Sequence, residues 1–164
     1  MPSPARRVAR LLQAADLKVV FAESCTGGLV SGALTKIPGI SNHHCGGVVV
    51  YRNETKMAYL GISAATLKNS GTVSPDVAEL MARRVLEMTP EADIAVSVTG
   101  HLGPNAPARL DGRVFASVAK RKEVDRAKTV AFRCRRDDSR SIRQRWVVEQ
   151  VLQMLGDELE AEQP

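Results

Sequence analysis

The chain has 164 residues, enough for one domain of ordinary size with a genuine hydrophobic core. Apolar residues make up 44% of it, which sets disorder aside, and no apolar run is long enough to span a bilayer. The net charge is +5, and the three cysteines, Cys25, Cys45 and Cys134, have a spacing that fits no zinc-ligand pattern.

The start, Met1 to Arg7, does not resemble a signal peptide, so a soluble protein of the reducing cytoplasm is expected. Val8, Leu11, Leu12 and Ala15 recur at helical spacing and predict a first helix. Lys18 to Ala22 reads as a strand, and Gly27 to Lys36 as a helix stopped by Pro38-Gly39. Gly46 to Tyr51 is a second strand, after which Asn53 is placed to cap a helix through Leu60. Ala64 to Asn69 is a further short helix. Ser74-Pro75-Asp76 is a strong helix start, and the stripe Val77, Leu80, Met81, Val85 and Met88 marks its core face. Ile94 to Thr99 reads as a strand. Arg113 to Ala119 and Lys128 to Arg133 form a strand pair joined through Lys120 to Asp125. A last helix begins near Ser139 with Val148, Val151, Leu152, Leu155 and Leu159 on one face, and the acidic tail 157–164 is expected to fray.

Strands alternating with helices predict a single α/β domain over 1–164, a three-layer α/β/α sandwich with a mixed, mostly parallel sheet. In such sheets ligands bind at the loops beyond the carboxyl ends of the strands. Three loops qualify: Glu23 to Gly28, Tyr51 to Lys56, and Thr99 to Gly112. The first, Glu23-Ser24-Cys25-Thr26-Gly27-Gly28, presents a serine at a helix N-terminus, where it serves equally as a cap or as a nucleophile beside oxyanion-stabilising N–H groups. A serine needs a base, and a lysine whose pKa is lowered by burial can supply one. Lys56, one turn into its helix, and Tyr51 are the candidates. Their plain structural alternatives are a solvated lysine and a core aromatic. Cys25 is a rival nucleophile or a small residue packed under the turn.

The basic stretch from Lys120 to Arg145 has almost no interleaved aromatics, so nucleic-acid binding through it is disfavoured against a solvated surface. His43, His44 and Cys45 are adjacent, so their side chains diverge, and no metal is expected there.

The motifs Glu23-Ser24-Cys25-Thr26-Gly27-Gly28, Pro38-Gly39-Ile40-Ser41, Tyr51-Arg52-Asn53-Glu54-Thr55-Lys56, Leu60-Gly61-Ile62, Gly71-Thr72-Val73-Ser74 and Ala92 to Gly100 follow one another in the order found in the CinA C-terminal domain, which the chain resembles over nearly its whole length. The resemblance implies an amidohydrolase that converts nicotinamide mononucleotide to nicotinate mononucleotide and ammonia, without metal or cofactor, in pyridine nucleotide salvage. It also implies Ser24 as nucleophile, Lys56 as its base and Tyr51 as an assisting group. Thr26, Gly27 and Gly28 would form the oxyanion side of the pocket, and Thr99 and Gly100 another wall. The family carries basic residues at the start of the last helix, so Arg140 or Arg143 would hold the phosphate. A small-molecule substrate and no membrane partner are expected, and a homo-oligomer is compatible. Many relatives have a further N-terminal domain resembling molybdopterin-binding proteins.

One loop departs from the family. The usual Gly-Ile-Ala-Gly-Pro, a paired glycine and Lys-Pro-Val-Gly are replaced by Gly100-His101-Leu102-Gly103-Pro104 running on to Arg109-Leu110-Asp111-Gly112. His101 and Arg109 are therefore candidates for altered substrate contacts, and the same chemistry on a different amide is the alternative, beside a non-catalytic binding domain.

Overall fold

The computed structural model describes residues 3–123 and 126–161. Its elements run α1 (Pro4–Ala15), β1 (Val19–Glu23), α2 (Leu29–Thr35), β2 (His44–Val49), α3 (Asn53–Leu60), α4 (Ala64–Ser70), α5 (Pro75–Met88), β3 (Ile94–Gly100), β4 (Arg113–Lys120), β5 (Lys128–Arg133) and α6 (Arg140–Glu160). The strands form one sheet in the order β2-β1-β3-β4-β5. β1 pairs in parallel with β2 and β3, whereas β3–β4 and β4–β5 are antiparallel. The sheet is thus mixed as expected, with half of its pairings parallel.

Alternation along the strands sends side chains to two separate cores. Val19 and Phe21 of β1, Ile94, Val96 and Val98 of β3, and Val114, Ala116 and Val118 of β4 pack under α1, α2 and α6. Val20, Ala22, Ala95 and Ala119 face the other way and pack with Leu60, Leu67 and the α5 residues Val77, Met81, Ala82, Val85 and Leu86. The α5 side of the sheet is built from small residues, so the helix sits close enough for the Ser97 hydroxyl to donate to the Ala78 carbonyl. Among the described residues no helix is long and apolar enough to cross a membrane.

Several local expectations are corrected. Ala15 and Met88 are exposed, and Ala9, Ala78, Ala82 and Leu86 take buried positions on their helices. α2 begins two residues late, at Leu29, because Gly27 and Gly28 adopt φ of +63° and +97°, outside the right-handed helical region. β2 begins at His44 and ends at Val49, leaving Tyr51 in the loop. Asn53 is the first helical residue rather than the cap of α3. Its side chain accepts the Thr72 hydroxyl at 2.9 Å, and the Thr55 hydroxyl accepts the Arg52 N–H at 3.1 Å. The expected fraying does not begin at residue 157. α6 continues to Glu160, with Leu159 buried, because Arg7 of α1 binds Asp157 at 2.8 Å and Glu160 at 2.7 Å. The end of the tail, 162–164, and residues 124–125 of the β4–β5 connection lie outside the described residues.

Candidate active site

Register brings the three loops together. Glu23, the last residue of β1, lies beside Val49 of β2 and Val98 of β3. The ladder runs one step further, with the Ser24 N–H donating to Val98 O at 3.0 Å and the Val50 N–H to Glu23 O at 2.8 Å. Ser24 and the Val50–Arg52 segment therefore leave the sheet beside Thr99, near the carboxyl end of β3, where loops of parallel strands gather.

The first loop turns tightly, the Gly27 N–H donating to Ser24 O at 3.1 Å. Glu23 is only 2% exposed, and its carboxylate folds back under the start of α2. It accepts the Thr26 hydroxyl at 2.6 Å and the N–H groups of Gly28, Val30 and Ser31 at 3.0, 3.1 and 2.8 Å. A carboxylate satisfies the orphan donors of a helix N-terminus and opposes its partial positive charge. The amides of Gly27 and Gly28 are thus consumed inside the turn, and Thr26 is fully buried. Of the residues next to the serine, Cys25 lines the cleft, and among the described residues its N–H donates to no backbone carbonyl. Among these backbone groups, the Cys25 amide is the one left facing the cleft.

Lys56 is fully buried. Helical side chains lean toward the N-terminus of their helix, so Lys56 reaches back past the first turn of α3. Its Nζ donates to Ser24 Oγ at 3.0 Å and to Val50 O at 2.8 Å. Burial pulls its pKa down from 10.5 to about 8, and no carboxylate contributes. Near neutral pH a usable fraction of the amine is therefore uncharged and in contact with a hydroxyl. Ser24 is itself 6% exposed and separates Lys56 from solvent.

Tyr51 does not bridge the pair. It is 56% exposed and its hydroxyl accepts Arg140 Nη2 at 2.7 Å, while Arg140 Nη1 donates to Gly103 O. Arg140 thereby ties the second loop to the third across the mouth of the site. Arg143, one turn on, is buried and spent elsewhere. It grips Asp111 through two bonds of 2.6 and 3.0 Å and donates to the carbonyls of Arg135 and Arg136. Of the two arginines only Arg140 reaches the Ser24 cleft.

The cleft has a volume of about 330 Å³, and Ser24, Cys25, Tyr51, Thr99, Gly100 and Arg140 are among its walls. Thr99 is buried and its hydroxyl holds Thr72 O at 3.2 Å, which fixes the 72–73 segment as a further wall. Gly100 must be glycine for space, since a Cβ there would lie 2.7 Å from Val114 Cγ2 and 3.1 Å from Cys25 Sγ. Among the described residues no acidic one lines the cleft and Arg140 is its one permanent cation, so it favours an anionic ligand. Burial pushes the Cys25 thiol up to about 12, leaving it protonated and a poor nucleophile at neutral pH. His43 and His44 point apart, with His43 Nδ1 3.1 Å from Leu17 O and His44 Nε2 2.8 Å from Ser31 Oγ.

Glu23 and Gln144 have roles at the site that the sequence does not signal. Glu23 stood in the motif without a role. Gln144, on α6, donates to Cys25 O at 3.0 Å, so with the Gly27–Ser24 bond both peptides flanking Cys25 are pinned. No local signal marks Gln144, because its partner is 119 residues away.

The fold and this cleft define an α/β/α domain that carries a buried lysine against a serine at the carboxyl edge of a mixed sheet. Residues 2–159 match the model of the CinA C-terminal domain, and the chain belongs to that family. A CinA-like protein of Geobacter metallireducens is 39% identical over 137 residues, which is 82% of this chain and 33% of that protein. A CinA-like protein of Chlorobium limicola is 47% identical over 98 residues, 60% of this chain and 23% of its own length. The chain thus spans about a third or less of the curated relatives it matches. Among solved structures, the competence/damage inducible protein CihA from Agrobacterium tumefaciens is 35% identical with a TM-score of 0.84, covering 96% of this chain and 93% of that one. The CinA superfamily protein KP700603 from Klebsiella pneumoniae is 28% identical with a TM-score of 0.88, covering 96% of both.

Proposed function

We propose that the chain is an amidohydrolase that converts nicotinamide mononucleotide to nicotinate mononucleotide and ammonia. The observation that carries this reading is the 3.0 Å contact between Lys56 Nζ and Ser24 Oγ, made by a lysine that burial holds near pKa 8. Neutral Lys56 takes the hydroxyl proton directly as Ser24 Oγ attacks the carboxamide carbon. The tetrahedral oxyanion lies between the Cys25 N–H and the newly charged Lys56 ammonium. Lys56 then gives its proton to the departing nitrogen, ammonia leaves, and Ser24 carries the nicotinoyl ester. Water, deprotonated by the same amine, attacks the ester carbonyl. The serine alkoxide departs as the proton returns to it, freeing the carboxylate product. Tyr51 takes no part in the proton path. It holds Arg140 at the cleft mouth, where the guanidinium meets the substrate phosphate.

Ammonia release from nicotinamide mononucleotide, free nicotinamide and the dinucleotide tests the reading. Release from the mononucleotide is expected, and Ser24→Ala and Lys56→Ala each lower it by at least ~10³-fold. Unchanged turnover in either variant sinks the mechanism. Release from a different amide alone moves the substrate, in line with the altered loop, whose residues Asn105, Ala106 and Pro107 line the cleft.

A further inference from the structure

Beside the Ser24 cleft lies a second cavity of about 410 Å³, and the two share Thr72, Val73 and His101 as walls. Its far side carries Arg109 and Arg113. Among the described residues no carboxylate lines it, and neither guanidinium has an acidic partner. Asp111 is held by Arg143, and Asp76 accepts the Ser70 hydroxyl at 2.9 Å. A third cation adds to the imbalance. Arg133 stands directly opposite Arg113 in the β4–β5 register, and its Nη2 donates to Arg109 O at 3.0 Å. Like charges facing each other across a strand pair are destabilising, and an anion held by Arg109 and Arg113 beside Arg133 lowers that cost.

Arg113 and the His101 backbone are held in place. The Arg113 guanidinium lies 5.5 Å above the Phe115 ring centroid. The His101 backbone extends the β3–β4 ladder, its N–H donating to Arg113 O and its carbonyl accepting the Gly112 N–H, both at 2.8 Å. Its imidazole has no hydrogen-bond partner among the described residues, and burial favours the neutral ring, which still offers one N–H. His101 and Arg109 both belong to the loop that departs from the family pattern.

We propose that the cavity walled by His101, Arg109 and Arg113 is an anion subsite continuous with the Ser24 cleft, taking a second phosphoryl group of the substrate. The inference rests on the amidohydrolase reading for its placement beside a reacting amide. With Arg140 meeting one phosphoryl group and this cavity another, the site accepts amides that carry a diphosphate, such as a pyridine dinucleotide, as well as a mononucleotide.

Two measurements test it. In the first, ADP is titrated into Ser24→Ala protein, which binds without turnover. Adding Arg109→Ala and Arg113→Ala weakens ADP binding at least tenfold, whereas adding Arg6→Ala and Arg10→Ala, which remove the same charge from α1, changes it less than twofold. In the second, kcat/KM is compared for the dinucleotide and the mononucleotide. The ratio falls at least tenfold in the Arg109→Ala/Arg113→Ala protein. Failure of ADP to bind at millimolar concentration, or equal weakening by both variant pairs, overturns the subsite. If no amide is hydrolysed by the unmodified protein, the amidohydrolase reading fails and the ADP titration alone decides the subsite.

Discussion

Lys56 links stability to pH in a way that can be measured apart from catalysis. Burial holds the amine near pKa 8, against 10.5 for a lysine in water. Between those values the unfolded chain binds a proton that the folded chain has released. Stability therefore rises with pH across that window, relative to a chain without the amine. At ~1.36 kcal/mol for each tenfold in proton affinity, the gap amounts to about 3 kcal/mol. Lys56→Met keeps an unbranched stem of similar volume and cannot titrate. Urea unfolding of both proteins at pH 7 and pH 10 isolates the effect, because other titrating groups cancel in the difference. The stability of the unmodified protein minus that of Lys56→Met is expected to grow by an amount approaching 3 kcal/mol. A difference independent of pH refutes the claim that the amine is buried and neutral above pH 8. The same value sets the kinetics. kcat/KM for amide hydrolysis climbs tenfold per pH unit below about pH 8 and then levels, and a limb that continues to pH 10 refutes Lys56 as a depressed base.

Glu23→Gln replaces one acceptor oxygen by an NH₂ group facing the N–H donors of α2, and a loss of roughly 3 kcal/mol is expected. For a chain of this size that lowers Tm by about 10 °C, readable by calorimetry, and an unchanged Tm contradicts the capping role. Gln144→Leu removes the bond to Cys25 O while keeping the side chain's bulk. kcat is expected to fall about tenfold with KM little moved, since a looser Cys25 amide weakens the transition state alone. A rise in KM at constant kcat assigns Gln144 to ground-state binding instead.

Local pattern carried most of the fold. The apolar runs of β1 and β3 are buried on both faces and read plainly, and Ser74-Pro75 marked the start of α5, where the serine hydroxyl accepts the Val77 N–H. The Ser24–Lys56 pair was legible only through motif resemblance, because the spacing of 32 residues carries no geometric content by itself. What stayed hidden depends on distant partners. Arg140 and Arg143 look equivalent at a helix start, and Asp111 decides between them by taking Arg143 out of the cleft. The acidic tail 157–164 reads as fraying until Arg7 is found opposite Asp157 and Glu160. The Tyr51 hydroxyl lies against Arg140, 89 residues on, a partner its own motif does not signal.

Glu23 also changes the electrostatics of the proposed reaction. A helix N-terminus presents about half a positive charge, which in many hydrolases faces the developing oxyanion. Here that end of α2 already holds a carboxylate accepting from three of its amides and the Thr26 hydroxyl, so it has little positive potential left for a second anion. The compensating charge must come from elsewhere in the cleft, because Arg140 is engaged with Tyr51 and Gly103. Lys56 supplies it. The amine is neutral before attack and becomes an ammonium as the oxyanion forms, so the buried site holds a net-neutral pair at both stages. A base that began charged, or one paired permanently with a carboxylate, would lose this balance. That is a physical reason for a lysine without an acidic partner to stand behind Ser24, and for the carboxylate of Glu23 to be turned away from it into the helix.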